Sequence, residues 1–230
     1  MSETPTPTPP HCIGLIMDGN RRWAREQGLS SLEGHKVGYD KLKEVTDWCK
    51  ERDVHHLVVY AFSTENWNRS KEEVDHLLDL IRLLLREVRE RSDPTEAVHI
   101  VGDIARFPDD IQEDITAMHA AHAPDATYHL WVAASYGGRA EIIAVVNTLA
   151  QQGTGPYREE DISNALWTSG MPDPDLIVRT GGNHRLSNFL PWQSVYSELY
   201  FTDTHWPALT KDEFLGFLDR FNTEQRNFGV

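Results

Sequence analysis

Cysteine is scarce in this chain: Cys12 and Cys49 are the only two among 230 residues. Two thiols cannot build a disulfide framework. With nothing ahead of them that reads as a secretory signal, a reducing cytoplasm is the expected location. No apolar run approaches the roughly 20 residues that span a bilayer. Basic charge is in deficit, 22 Lys and Arg against 36 Asp and Glu, for a formal net of −14. A general nucleic-acid binder needs a basic face to displace counterions from phosphates, so no nucleic-acid partner is expected. A G-x-x-x-x-G-K-[ST] run is missing, which argues against a nucleotide P-loop, and so is any His/Cys set at zinc spacing. The eleven histidines read as scattered. Low complexity is confined to residues 1–10, where Pro5, Pro7, Pro9 and Pro10 oppose helix and strand, and a disordered tail is expected there.

What is present is ordinary globular composition, 40% hydrophobic and 25% charged, in a length suited to one α/β domain over residues 11–230. Short, nearly continuous apolar runs predict strands at Ile13–Met17, His56–Phe62, Ala97–Val101, Tyr128–Ala134, Asp175–Val178 and Leu199–Thr202. Amphipathic stretches between them predict helices at Gly34–Glu51, Lys71–Arg91, Pro108–His122, Arg139–Gln151 and Thr210–Asn227, with a surface loop at Gln151–Tyr157. Strands of this kind, alternating with helices, form a mostly parallel central sheet flanked by helices on both faces. Ligands of such sheets bind beyond the carboxyl ends of the strands. The chemistry is therefore expected in the loops after the first, second and fifth strands.

Those loops have unusual composition. Across 18–36, 60–69 and 179–188 lie Arg21, Arg22, Arg25, Lys36, Arg69, Arg179 and Arg185 against only Asp18, Glu26, Glu33 and Glu65. A basic pocket in an acidic protein suits a small, highly charged anion. Gly19 after Asp18 permits a tight turn into a helix start, whose N–H groups can face an anion. Asp18 itself would repel a bare phosphate unless a cation lies between them, and magnesium suits one carboxylate plus phosphate oxygens and water. A plain helix-capping role for Asp18 is the competing reading. Arg179 and Arg185 flank a Gly-Gly turn, with Ser187 close behind. They can grip a diphosphate bidentately or make ordinary surface salt bridges. Between Val74 and Val88, apolar residues recur at 74, 77, 78, 81, 84, 85 and 88, with Leu80 and Leu83 beside the stripe. This is a core helix, and the same face can wall an apolar tunnel.

At these loops the sequence closely resembles the cis-prenyltransferase family, the undecaprenyl diphosphate synthase-like isoprenyl transferases. The matching runs are HCIGLIMDGNRRWA (11–24), Gly34–His35, YAFSTENWNR (60–69), AASYGGR (133–139) and DLIVRTGGNHRLSNFLPWQSVYSELYFTDTHWP (175–207). The resemblance implies a homodimer and a transferase that elongates an allylic diphosphate, farnesyl or shorter, with isopentenyl diphosphate, each new double bond cis. It also implies Mg2+ as cofactor, an apolar tunnel that sets product length, and transient membrane contact for product release by a cytoplasmic, peripherally associating protein.

Carried over by position, Asp18 matches a magnesium-linked catalytic aspartate. Gly19, Asn20, Arg21, Arg22, Trp23 and His35 match the allylic diphosphate loop, with Ser31 standing where the family usually has a basic contact. Ser63, Thr64, Glu65, Asn66, Trp67 and Arg69 match a second loop, Asn66 at the position linked to proton removal. Arg179, Arg185, Leu186 and Ser187 match the isopentenyl diphosphate site. Glu198 matches a second magnesium ligand, able to reach the partner's site in a homodimer. Two further departures stand out: Asn183 replaces a common glutamate, and Tyr128 is larger than the usual aliphatic and would floor a tunnel early, whereas the small Ala61 leaves room elsewhere. A non-catalytic partner subunit would be expected to lose Asp18, Arg179, Arg185 and Glu198, all of which are here. A phosphate-ester hydrolase would need a nucleophile or metal cluster that the sequence lacks. An irregular condensation of two allylic units would be expected to disturb the isopentenyl loop, which is intact apart from Asn183.

Overall fold

The computed structural model describes residues 9–153 and 155–223. Most of the expected tail, and residues 224–227 of the expected last helix, lie outside the described residues. Six strands form one parallel sheet: β1 (Cys12–Ile16), β2 (His56–Ser63), β3 (Glu96–Val101), β4 (Tyr128–Tyr136), β5 (Leu176–Arg179) and β6 (Glu198–Phe201), in the order β3-β4-β2-β1-β5-β6. Each begins and ends within two residues of the apolar run that predicts it. Because every strand runs the same way, the loops after β1, β2 and β5 leave one edge side by side. The chain leaves β1 toward β2 and returns past it to β5, so the crevice beyond β1 is flanked on both sides.

The helices are α1 (Asn20–Glu26), α2 (Ser31–Glu51), α3 (Lys71–Arg91), α4 (Asp109–Ala120), α5 (Gly138–Gln152), α6 (Glu159–Ala165) and α7 (Lys211–Thr223). α2 starts three residues before the expected Gly34, because Ser30 and Glu33 close a capping box around its first turn. α6 is absent from the sequence reading; it is short and lacks a single buried residue to mark a periodic face. One sheet face packs Leu15, Val59 and Leu130 against Val45 of α2, Ile81 of α3, Ile111 of α4 and Phe214 of α7. On α3 alone, Val74, Leu77, Leu78, Ile81, Leu84 and Leu85 are buried, each side chain contributing about 1.5–3 kcal/mol. The other face packs Val58, Ala133 and Ile177 against Met171, Phe189 and Leu190. α5 is pinned there by buried Glu141, which accepts hydrogen bonds from Tyr136, Thr168 and Gln193.

The histidines are not scattered. Seven of them, His11, His55, His56, His99, His119, His122 and His129, gather around Trp131 on that second face and at the free edge of β3. Distant sequence positions hid this, because residues that alternate along three different strands meet only through register: His56 lies opposite His129, and His99 opposite Trp131. At the edge, Ile100 N–H donates to His119 Nε2 (3.2 Å) and His122 Nε2 lies 2.7 Å from the Val98 carbonyl, occupying backbone groups that an edge strand otherwise leaves open.

Candidate active site

At the carboxyl edge the chain turns at Gly19, whose φ of +111° is costly for other residues and where a Cβ would sit within 3 Å of His205. This places Asp18 at the centre of the loops. Its Oδ1 accepts from Arg22 (3.1 Å) and its Oδ2 from Arg179 (2.9 Å) and Asn183 (2.8 Å). Its backbone carbonyl accepts from Thr180 Oγ1 (2.7 Å) and Trp206 N–H (3.0 Å), tying the β1, β5 and β6 loops together. Burial opposes ionisation of Asp18, but the bonds from Arg179 and Asn183 and the charges of Arg179 and Arg22 outweigh it. The carboxyl is held below its usual range. Asp18 therefore does more than cap α1, with which no side-chain cap bond is made.

Arg179 is 6% exposed and spends its donors on Asp18, Ser187 Oγ (2.7 Å) and the Arg185 carbonyl. Its immediate role is to brace the loop, leaving Arg185, exposed and without an ion pair among the described residues, as the free cation of that pair. Gly181, at φ +79°, lets the turn pass within contact of Asp18 and Arg22, where a Cβ would come within 2.9 Å of both. In the second loop a 3₁₀ turn over Thr64–Asn68 carries Asn66, whose Oδ1 accepts from Ser63 N–H (3.0 Å). That bond fixes the amide with its NH2 as the remaining polar group. Trp67 lies behind the loop against Phe62 and Phe107 and donates to Ser135 Oγ. Glu65 links the second loop to the third through Asn188 (3.2 Å).

These loops border a cavity of about 1150 Å³. Asp18, Gly19, Asn20, Arg21, Arg22, Ser31, His35, Ser63, Asn66, Arg69, Arg179, Arg185 and Ser187 line its polar part, so most of the sequence-predicted residues do converge. Tyr39, Leu42, Phe62, Leu77, Leu80, Ile81, Leu84 and Val132 line its apolar depth, Ala61 among them where β2 bulges between Tyr60 and Phe62. The core stripe of α3 and the wall of the cavity are thus the same face. Trp23, Thr64, Glu65, Trp67 and Leu186 do not line it. Nor does Tyr128: it lies two alternate positions below Val132 on β4, beyond Leu130, so an early floor at Tyr128 is not what bounds this cavity.

Glu198 is not brought to Asp18 within the chain. It opens β6 in register with Leu176 and, through β5, with Ile13. Asp18 lies five residues further along the strand direction, on the order of 15 Å at the usual rise. Sequence reasoning also missed Glu73, at the start of α3, whose Oε1 lies 2.7 Å from Arg69, 3.4 Å from His35 and 3.8 Å from Arg21. The Ser-x-x-Glu pattern at 70–73 was the available signal.

For Mg2+, the donor set fits the mode expected from the sequence. Among the described residues no group of three or more His, Cys, Asp or Glu could hold a metal alone. Asp18, ionised and facing the cavity, offers the one carboxylate that magnesium needs when substrate phosphates complete its shell.

A parallel sheet whose carboxyl edge opens into a cavity, cationic at its mouth and apolar in its depth, defines an enzyme for an apolar molecule with an anionic head. Residues 16–229 match the family described as "Putative undecaprenyl diphosphate synthase". The chain belongs to this family, a family of prenyl transferases. It is 41% identical to the tritrans,polycis-undecaprenyl-diphosphate synthase (geranylgeranyl-diphosphate specific) of Thermoplasma volcanium, over 97% of this chain and 90% of that protein. It is 39% identical to the ditrans,polycis-undecaprenyl-diphosphate synthase ((2E,6E)-farnesyl-diphosphate specific) of Pseudomonas aeruginosa, over 96% and 90%. Among solved structures, lavandulyl diphosphate synthase from Lavandula x intermedia, in complex with dimethylallyl diphosphate, superposes with a TM-score of 0.89 at 30% identity, covering 96% of this chain and 98% of that one.

Proposed function

We propose that the chain condenses isopentenyl diphosphate with an allylic diphosphate to give a cis-polyprenyl diphosphate. The observation that carries the reading is a cavity in which a cationic mouth around Asp18 gives directly onto an apolar wall of α2, α3, β2 and β4. Arg21, Arg22, His35 and Arg69 hold the allylic diphosphate with its chain directed inward, and Arg185 with Ser187 holds isopentenyl diphosphate. α1 has only seven residues, so the field at the mouth comes chiefly from these side chains rather than from a helix dipole.

As the allylic C–O bond breaks, positive charge grows on carbon and negative charge on the departing diphosphate. The guanidiniums stabilise the latter. The double bond of isopentenyl diphosphate then attacks the allylic carbon, and a proton leaves the adjacent carbon. Asn66 cannot be the base; its amide NH2 positions a diphosphate oxygen, and the departed diphosphate takes the proton. Bound Mg2+, held by Asp18, would supply further charge neutralisation to the leaving group.

The apolar depth is read as the tunnel that sets product length, and membrane contact as transient, for product release. Among the described residues no helix is long and apolar enough to cross a membrane. A homodimer is supported by exposed apolar side chains on α5, Ile143 and Val146, and near the β6 edge, Val195 and Leu199. Such a dimer is also the route by which Glu198 reaches a metal, at the partner's site. Location in the cytoplasm belongs to the same proposal.

One observation favours a second reading. Asn183 turns its amide onto Asp18 where the family commonly carries an acid, and the lavandulyl synthase is a close structural neighbour. Both readings are tested by incubating the protein with Mg2+ and labelled isopentenyl diphosphate plus farnesyl, geranyl or dimethylallyl diphosphate, and separately with dimethylallyl diphosphate alone. A polyprenyl ladder ending at one length supports the first reading. A ten-carbon product from dimethylallyl diphosphate alone, with no ladder, replaces it. No incorporation from any starter overturns the catalytic reading in favour of a partner subunit.

A further inference from the structure

The sequence opens two helices with the same local pattern. Ser30 and Glu33 stand at the N-cap and third position of α2, Ser70 and Glu73 at those of α3. In α2 the box closes both ways: Glu33 N–H donates to Ser30 Oγ (3.2 Å) and Ser30 N–H donates to Glu33 Oε2 (2.8 Å). In α3 only half of it forms, with Glu73 N–H donating to Ser70 Oγ (3.3 Å). The Glu73 carboxylate turns toward the cavity instead. Its Oε1 receives Arg69 Nη1 at 2.7 Å, His35 Nε2 at 3.4 Å and Arg21 Nη1 at 3.8 Å. The three partners come from three separate segments: α1, α2 and the loop ahead of α3.

All three partners line the cavity, whereas Glu73 does not. Its side chain is only 13% exposed. A nearly buried carboxylate behind an anion site works against the anion unless it supplies something the site needs. Here it supplies convergence. Burial, followed by the charge of Arg69, lowers the pKa of His35 and favours its neutral form, while Arg21 and Arg69 converge on the same point as like charges that repel. A shared carboxylate offsets that repulsion and holds long side chains that would otherwise be disordered. Two arginines against one glutamate leave the cluster net positive, so an arriving diphosphate is still attracted. The bond at Nε2 also fixes which histidine nitrogen carries the proton.

We propose that Glu73 is a positioning residue that gathers Arg21, His35 and Arg69 into one preorganised donor set for the allylic diphosphate. The inference rests on reading the cavity mouth as the allylic diphosphate site. It concerns a residue behind that site rather than one that touches substrate.

The test titrates the full chain and its Glu73→Ala and Glu73→Gln variants calorimetrically with inorganic pyrophosphate, and assays all three for prenyl transfer. Glu73→Ala is expected to weaken pyrophosphate binding, and kcat/KM for the allylic diphosphate, about 30-fold, within the range seen when groups behind a binding shell are removed. KM for isopentenyl diphosphate should change less than about threefold, because Arg185 and Ser187 do not touch Glu73. Glu73→Gln keeps an acceptor oxygen in place and should recover most of the lost affinity, at an unchanged thermal midpoint.

Parent-like pyrophosphate affinity in Glu73→Ala, or equal losses for both substrates accompanied by a fallen thermal midpoint, would overturn the proposal. Should that variant not fold, Glu73→Asp serves. It keeps the charge but is one methylene short, so the same loss of affinity is expected at an unchanged midpoint, and parent affinity overturns the proposal. If the parent transfers no prenyl group from any starter, the prenyl-transfer reading fails, while the pyrophosphate titration still decides the role of Glu73.

Discussion

The two ends of the parallel sheet use polar residues in opposite ways. At the carboxyl end, Asp18, Arg22, Arg179 and Asn183 satisfy one another around a cavity, with the positive φ of Gly19 and Gly181 letting the loops pass close. Toward the amino end, His56, His99 and His129 surround Trp131 in ring-to-ring contact, and the nearest neighbours that perturb them are other imidazoles. The first arrangement uses paired opposite charges and survives ionisation because it is built for it. The second holds together only while the rings stay neutral. Polar clusters in one sheet can thus be sorted by whether protonation completes their hydrogen bonds or breaks them.

The largest expected difference between the two ends is catalytic. Asp18→Asn keeps the size and one acceptor of the side chain but removes the charge that pairs with Arg22 and Arg179. Steady-state incorporation of labelled isopentenyl diphosphate should fall about 1,000-fold, as when a centrally placed electrostatic group is lost. A variant retaining activity within tenfold would mean that Asp18 braces the loops and does no more. Next in size is a test that couples the ends across two copies of the chain. Leu199→Asp places a charge at an exposed apolar position next to Glu198 in β6. It should yield a monomer on gel filtration and cost about tenfold or more in turnover, since a charge buried without a partner is expensive at an apolar interface. Monomer formation with full turnover would remove Glu198 from the metal site.

Depth in the cavity separates the two regions more finely. Leu84→Ala enlarges the apolar lining and should lengthen the product by at least one isoprene unit on chromatography. Tyr128→Ala, below the lining, should leave product length unchanged while costing about 3 kcal/mol in urea unfolding, the usual loss for a truncated buried ring. A longer product from Tyr128→Ala would restore that residue as the floor.

The fold was legible in the sequence because apolar runs and 3.6-residue periodicity are local signals. Among the described residues, all six strands and five of the seven α-helices follow from them, and the glycine-bearing loops after β1 and β5 follow from the rule for parallel sheets. What stayed hidden depends on register or on side-chain direction. Glu73 and Glu33 occupy the same local pattern, yet one closes its capping box and the other leaves it for Arg69. Arg179 looks like a free ligand for an anion until its burial shows it bracing Asp18 and Ser187. Glu198 has the right type for a metal site, but its place at the start of β6 puts it far from Asp18 in the same chain. The histidines sit at unrelated sequence positions, and only the pairing of β2, β3 and β4 brings them together.

That histidine cluster yields the smallest predicted effect and the sharpest contrast with the site. Burial first, then neighbouring imidazoles, lowers His56 to about 4 and His99 to about 3. In the unfolded chain both revert to about 6.5, so below that pH the unfolded state binds more protons and is favoured. Their contribution to stability is complete above about pH 6.5 and is lost as pH falls toward the folded-state values. The geometry gives the same sign. Trp131 Nε1–H donates to His56 Nδ1 (3.2 Å) and Ile100 N–H donates to His119 Nε2 (3.2 Å), and each bond requires an unprotonated acceptor. Allowing for partial solvent exposure of these rings, the loss between pH 7 and pH 5 should be on the order of 1 kcal/mol. It is readable as a falling urea midpoint above the range where carboxylates titrate. His99→Gln should flatten that fall, since it removes the most depressed ring of the set. A midpoint that stays level from pH 7 to pH 5 in the parent would show that the rings open to solvent and protonate without cost. The contrast between the two ends of the sheet would then reduce to one of charge alone.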